Sequence, residues 1–161
     1  MKEKQRTIVM IYGGRSYEHD VSVITAIQIE EMWRHENIRL VPLYMRDGDW
    51  YVLPQWRLFA TYTRPLRGQR CSWRQGGLCV GRRFHPVDCA LLLTHGGEGE
   101  DGTLQALLRF YGVPYTSCDA VSSAICMNKW LCKQRLLADG FPVVAGRLAG
   151  PDDTPDRKSV V

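Results

Sequence analysis

Thr7-Ile8-Val9-Met10-Ile11-Tyr12-Gly13-Gly14-Arg15-Ser16-Tyr17-Glu18-His19-Asp20-Val21-Ser22 is the stretch that decides the fold. Its first six residues are apolar or β-branched without alternation, the pattern of a strand covered on both faces, as in a parallel sheet. Two glycines break that strand. From Val21 to about Trp33 the apolar residues Val23, Ile24, Ala26, Ile27, Ile29 and Met32 predict a mostly buried helix, with Gln28, Glu30 and Glu31 gathered toward its end. Strand, glycine turn and helix make a βα unit, and in open α/β sheets ligands bind at that turn.

The elements that follow extend this unit. Arg39–Met45 reads as a second strand, and Asp47-Gly48 as a hairpin turn leading into Trp50–Leu53. Beyond Pro54 the pattern loosens into an irregular insertion, within which Arg70–Arg74 and Leu78–Arg82 flank Gln75-Gly76-Gly77 as a second hairpin. Val87–Thr94 is another continuous apolar strand. Thr103–Tyr111 is a helix with Leu104, Leu107, Leu108 and Tyr111 on one face, stopped by Gly112 and Pro114. Asp119 or Ser122 starts a short helix, and Lys129–Asp139 forms a longer one ended by Gly140 and Pro142. Gly150–Asp156 has linker composition, and Ser159-Val160-Val161 opens a further element. The expected fold is α/β: a Rossmann-like parallel sheet with helices on both faces and a β-hairpin insertion.

Composition narrows the function classes. A chain of 161 residues with a net charge of +4 is about one ordinary globular domain. Its longest apolar stretches, such as Ile8–Tyr12 and Cys89–Thr94, are far below the roughly 20 residues of a membrane span. The charged opening Met1–Arg6 leads into a strand without a small-residue cleavage site, so the protein is expected in the cytoplasm, without membrane contact. Cys71, Cys79, Cys89, Cys118, Cys126 and Cys132 include no C-x-x-C and no histidine at ligand spacing, so reduced thiols are expected and no metal site. A disulfide between Cys71 and Cys79 across the hairpin is the minor alternative. From Trp50 to Val87 there is no acid, while Arg57, Arg64, Arg67, Arg70, Arg74, Arg82 and Arg83 alternate with Trp56, Phe59, Tyr62, Trp73 and Phe84. That composition suits nucleic acid, but a solvated hairpin face accounts for it more simply and is preferred.

Three places carry candidate chemistry. At the first turn, Gly13 and Gly14 let a ligand approach the backbone, and Glu18 offers a carboxylate beside the positive end of a helix, suited to an ammonium group. Glu18 or Asp20 can equally act as a helix cap there. The second is His95-Gly96-Gly97-Glu98-Gly99-Glu100-Asp101-Gly102-Thr103-Leu104-Gln105, which contains G-x-G-x-x-G at Gly97, Gly99 and Gly102. Glu98, Glu100 and Asp101 would repel a pyrophosphate, so a dinucleotide site is rejected. His95 ends a strand, where it can meet a carboxylate ligand or simply hold a backbone partner. The third is Met127-Asn128-Lys129: Asn128 is a good cap, and Lys129 then sits where the helix dipole disfavours a cation, which points to an anionic ligand or to plain solvation.

Taken together, these three segments resemble the D-alanyl-D-alanine ligase family. The resemblance implies an N-terminal Rossmann-like, pre-ATP-grasp domain over residues 1–120 and the beginning of an ATP-grasp domain over 121–161. It implies a cell-wall enzyme in which ATP converts one D-alanine to an acyl phosphate that the amine of the second attacks. Glu18 would be the catalytic residue holding the first D-alanine's ammonium, Val21 and Ser22 would line that pocket, and His95 would lie near its carboxylate. Lys129 would contact ATP, and Gly13, Gly14, Gly96, Gly99, Glu100, Asp101 and Gly102 would shape the loops. Mg2+ is implied as well, with its ligands beyond this chain, and so is a homodimer. Two positions depart from the pattern: Asn128 stands for an aspartate and Ala106 for a glycine. With the remaining ATP-grasp strands beyond Val161, the chain is expected to be inactive alone. A free-standing ligand-binding or regulatory domain of the same descent is the alternative.

Overall fold

A computed structural model describes residues 5–63 and 65–150 of the chain. Arg64, the opening to Lys4, the linker-like run from Pro151 and the element expected at Ser159–Val161 lie outside the described residues. In chain order the elements are β1 (Arg6–Gly13), α1 (His19–Met32), β2 (Ile38–Arg46), β3 (Asp49–Val52), β4 (Gln69–Arg74), β5 (Gly77–Val80), β6 (Arg83–Pro86), β7 (Cys89–Leu92), α2 (Thr103–Phe110), α3 (Ala120–Met127) and α4 (Lys129–Ala138).

β1 is the pivot of a seven-stranded sheet in the order β6-β5-β4-β3-β2-β1-β7. It pairs in parallel with β2 and with β7, and its unbroken apolar run is explained by cover on both faces. Successive side chains alternate between the two faces. Val9 and Ile11 enter a core with Leu43, Met45, Trp50, Trp73, Leu78 and the α2 residues Leu104 and Leu108. Met10 and Tyr12 enter the opposite core with Tyr44, Leu53, Leu93 and the α1 residues Val23 and Ala26. The expected α/β fold with a helix on each face is therefore what forms. Leu108 is fully buried, and a leucine so placed stabilises by about 1.5–3 kcal/mol.

The parallel part is confined to β2, β1 and β7. The stretch expected to be an irregular insertion with one hairpin instead continues the same sheet as an antiparallel wing of β3, β4, β5 and β6. Trp73, on the wing, packs edge-on against Trp50 with ring centroids 5.5 Å apart, so the wing shares the α2-side core. Its turn is tied to the end of α2, where Gly76 N donates to the Tyr111 carbonyl at 2.7 Å. β7 is shorter than the expected Val87–Thr94 strand, and the chain after α2 returns beside it, with Ala90 bridged to Tyr115. Cys71 lies opposite Val80 and Cys79 opposite Ser72, so the two thiols face opposite sides of the sheet and both are free. The alternative of a disulfide across the hairpin is excluded by that register.

Three phenols cluster beneath the start of α1. Tyr62 Oη lies 3.1 Å from Tyr12 Oη and also meets the Trp56 carbonyl, and Tyr44 packs edge-on against Tyr62 at 5.0 Å. Burial pushes the hydroxyls of Tyr44 and Tyr62 up to about 12, and burial together with Tyr62 raises that of Tyr12 further. The folded state therefore keeps protons that the unfolded chain releases above about pH 10. Stability from this cluster is complete below that pH and is lost as pH rises through about 12. Urea midpoints are expected to hold level from neutral pH to about 9 and to fall steeply between about 10 and 12. A midpoint still level at pH 12 would show that the phenols are not buried in this way.

Candidate functional site

Parallel neighbours end on the same side of a sheet, so the loops after β1 and β7 lie together. Ser22 joins them. Its fully buried hydroxyl accepts from Gly13 N at 2.8 Å and donates to the Leu93 carbonyl at 2.8 Å. Its one proton and one of its two acceptor sites are thus used inside the protein, between the ends of β1 and β7. Gly14 N donates to the Met45 carbonyl at 2.8 Å, and Arg15 N donates to Oε1 of Glu98 at 3.0 Å, so the two loops are fastened to the sheet and to each other.

Glu18 occupies the N-cap position of α1, but its side chain makes no capping bond. Asp20 does not cap either; its Oδ1 lies 2.8 Å from Nδ1 of His19, whose Nε2 is 2.7 Å from Tyr44 Oη. The Glu18 carboxylate instead rests against Gly96. A Cβ on Gly96 would come within 2.7 Å of both Glu18 Oε2 and Ser16 Oγ, and Gly96 has φ +65°, so glycine is required there twice over. Ser16 Oγ accepts from Glu18 N at 3.0 Å, which fixes the approach. Among the described residues the Glu18 carboxylate has no hydrogen-bond or ion-pair partner, and it faces the positive end of α1.

His95 follows the Glu18-bearing loop across the mouth. Its Nε2 lies 3.2 Å from Thr25 Oγ1, a side-chain contact where a backbone partner was the alternative expectation. Val21, half exposed, lies on the first turn of α1. The loop behind is rigidly built: Glu100 N and Asp101 N both donate to the Gly97 carbonyl at 3.0 Å, and Asp101 Oδ1 accepts from Thr103 N at 2.9 Å. Gly102, at φ +94°, brings the α2 start so close to α3 that a Cβ would lie 2.3 Å from the Ala120 carbonyl. Gln105 Nε2 donates to the Gly99 carbonyl at 3.0 Å. The G-x-G-x-x-G run is a tight turn and a helix cap.

Lys129 is not brought to this mouth. It opens α4, where Asn128 caps as expected by accepting from Trp130 N at 3.1 Å and Leu131 N at 3.0 Å, and its exposed ammonium makes no ion pair among the described residues. Asp119 starts α3, and hydrogen bonds from Ser122 hold its carboxyl below the usual range. Within the arginine-rich wing, Arg57 pairs with Glu30 and Arg70 with Asp49, while Trp73 and Tyr62 are buried. Sequence reasoning missed Thr25, Glu98 and Ser16. Thr25 was findable, since it lies four residues after Val21 and so on the same helix face.

The family described as D-ala D-ala ligase N-terminus matches residues 7–118. A D-alanine–D-alanine ligase of Chlorobium phaeovibrioides is 31% identical over 156 residues, covering 89% of this chain and 43% of that protein. The solved D-alanine–D-alanine ligase of Coxiella burnetii superposes with a TM-score of 0.80 at 29% identity, over 92% of this chain and 46% of the other. The Bacillus anthracis ligase complexed with ATP does so with a TM-score of 0.64 at 25% identity, over 95% and 43%. The chain spans a little under half the length of these relatives.

The contact of Glu18 with Gly96 gives a direct test. Gly81→Ala, at φ +59° in open space, carries backbone strain alone, about 1–2 kcal/mol. Gly96→Ala adds the contact with Glu18 Oε2 and Ser16 Oγ, side-chain ends that must move aside, and is expected to lose about 1 kcal/mol more in urea unfolding. Equal losses for the two variants would mean that the carboxylate does not rest on Gly96.

Proposed function

The chain belongs to the D-alanine–D-alanine ligase family, and from that we propose that it supplies the pocket for the first D-alanine of an ATP-dependent ligase of cell-wall precursor synthesis. One observation carries this: among the described residues the Glu18 carboxylate and the Nδ1 of His95 have no partner, and Glu18 lies against Gly96, next to His95, where two fastened loops meet. A zwitterionic amino acid is the complement of that pair. Its ammonium meets Glu18, Val21 packs on its side chain, and its carboxylate meets His95. Ser22, Gly13, Gly14, Gly96, Gly99, Glu100, Asp101 and Gly102 hold the mouth in shape. Lys129, a cation in the first turn of a helix, is assigned to an ATP phosphate.

The boundary between the Rossmann-like domain and the opening of the ATP-grasp domain is placed at residue 120, supported by the start of α3 there. No group of three or more His, Cys, Asp or Glu side chains converges among the described residues. Among them no helix is long and apolar enough to cross a membrane. Free thiols throughout favour the reducing cytoplasm. The outward row Ile24 and Met32 on α1, both exposed, is the surface assigned to a homodimer contact.

Isothermal titration of D-alanine into the 161-residue chain, followed by amide shifts at Glu18, His95 and Gly96, tests the pocket. Binding is expected, with Glu18→Gln weakening it about tenfold or more because an ionic hydrogen bond is lost. D-alanine that leaves those amides unmoved counts against the assignment. With ATP and Mg2+ added, the 161 residues alone are expected to release no phosphate above background, since charge stabilisation of phosphoryl transfer needs more cations than Lys129.

A further inference from the structure

Thr25 sits inside α1, half buried, between the helix and the loop that carries His95. Its Oγ1 lies 2.9 Å from the Val21 carbonyl oxygen and 3.2 Å from His95 Nε2. A hydroxyl has one proton, and a carbonyl oxygen can only accept. The shorter contact takes the proton to Val21. The longer one then closes only if His95 Nε2 is the donor, so the neutral ring is held with its proton on Nε2 and its lone pair on Nδ1. Nδ1 has no partner among the described residues, and it is the nitrogen left for a ligand.

We propose that Thr25 is a positioning residue that selects the Nε2–H tautomer of His95 and thereby makes Nδ1 the atom that meets a ligand's carboxylate. This rests on the amino-acid reading of the mouth. With Nε2 committed to Thr25, a carboxylate can be matched only by a proton taken up on Nδ1, giving an imidazolium bonded at both ends: Nε2–H to Thr25 and Nδ1–H to the ligand. Thr25 itself touches no ligand. Serine can replace it in this role, since it keeps the hydroxyl; valine cannot, although it keeps the shape.

Long-range proton–nitrogen spectra of the 161-residue chain, labelled in histidine and recorded at alkaline pH, show directly which nitrogen carries the proton. The wild-type chain and T25S are expected to show Nε2–H with a bare Nδ1, and T25V a mixture of tautomers with its backbone amide spectrum otherwise preserved. D-alanine affinity is expected to fall about tenfold in T25V and to change less than about twofold in T25S. A ring protonated on Nδ1 in the wild-type chain overturns the assignment without any variant, and so does a T25V spectrum with the wild-type tautomer. Wild-type chain that shows Nε2–H but binds no D-alanine overturns instead the reading of the mouth on which the ligand part rests.

Discussion

Where β1 and β7 stop pairing, each leaves a backbone group in the interior: the N–H of Gly13 and the carbonyl of Leu93. A buried polar group left unpaired costs about 1–3 kcal/mol, and here one hydroxyl satisfies both. Because Ser22 belongs to α1, the same two bonds fix the distance and rotation of the helix against the strand ends. Glu18 lies four residues before it and Thr25 three after, so both are neighbours of Ser22 on one helix face. Ser22 N donates to the Glu18 carbonyl at 3.1 Å, which carries the constraint into the cap. The groups around the mouth are placed by a residue that does not itself open onto it.

The two loops then interlock through what is missing as much as through what is present. Gly96 has no side chain, and the space is filled by Glu18 and Ser16 of the other loop. Two glutamates stand close to this seam and are given different work by their surroundings. Glu98 accepts from a backbone N–H of the first loop, so its charge is engaged in holding the loops together. Glu18 is held against glycine without a donor of its own, so its charge is available. Of the two, it is the second carboxylate that has no partner among the described residues.

Much of this was legible in local sequence. The unbroken run Thr7–Tyr12, the glycines after it and the apolar face of Thr103–Tyr111 each announce an element by composition alone, and α1, α2 and α4 start within two residues of expectation. What failed was non-local. β6 falls in the stretch expected to be irregular, because Arg83-Phe84-His85-Pro86 becomes a strand only when β5 is beside it. The spacing of Cys71 and Cys79 does not reveal which face each takes; register does. The bond of Ser22 to the Leu93 carbonyl spans 71 positions of chain and has no local signal. The acid-free run Trp50–Val87 looked unneutralised because its partners, Glu30 and Asp49, lie outside it.

The arginine-rich wing can be explained by the sheet alone. An edge strand exposes a row of unpaired backbone groups that invites pairing with another chain, and proteins oppose this with charge and proline on the edge. β6 is that edge, and it carries Arg83, His85 and Pro86, with Arg82 just before it. At the other edge β7 is covered by the returning segment around Tyr115, and no such charge is needed. The basic residues therefore fall on the side of the sheet that lacks a cover. Trp73 and Tyr62 are buried and Arg57 and Arg70 are paired, so these four residues are not offered to a nucleic acid, while Phe84 stays exposed beside Arg82 and Arg83. Between the two glycine loops, by contrast, the Glu18 carboxylate and the Nδ1 of His95 have no partner among the described residues, and Glu18 lies against Gly96, the residue that follows His95.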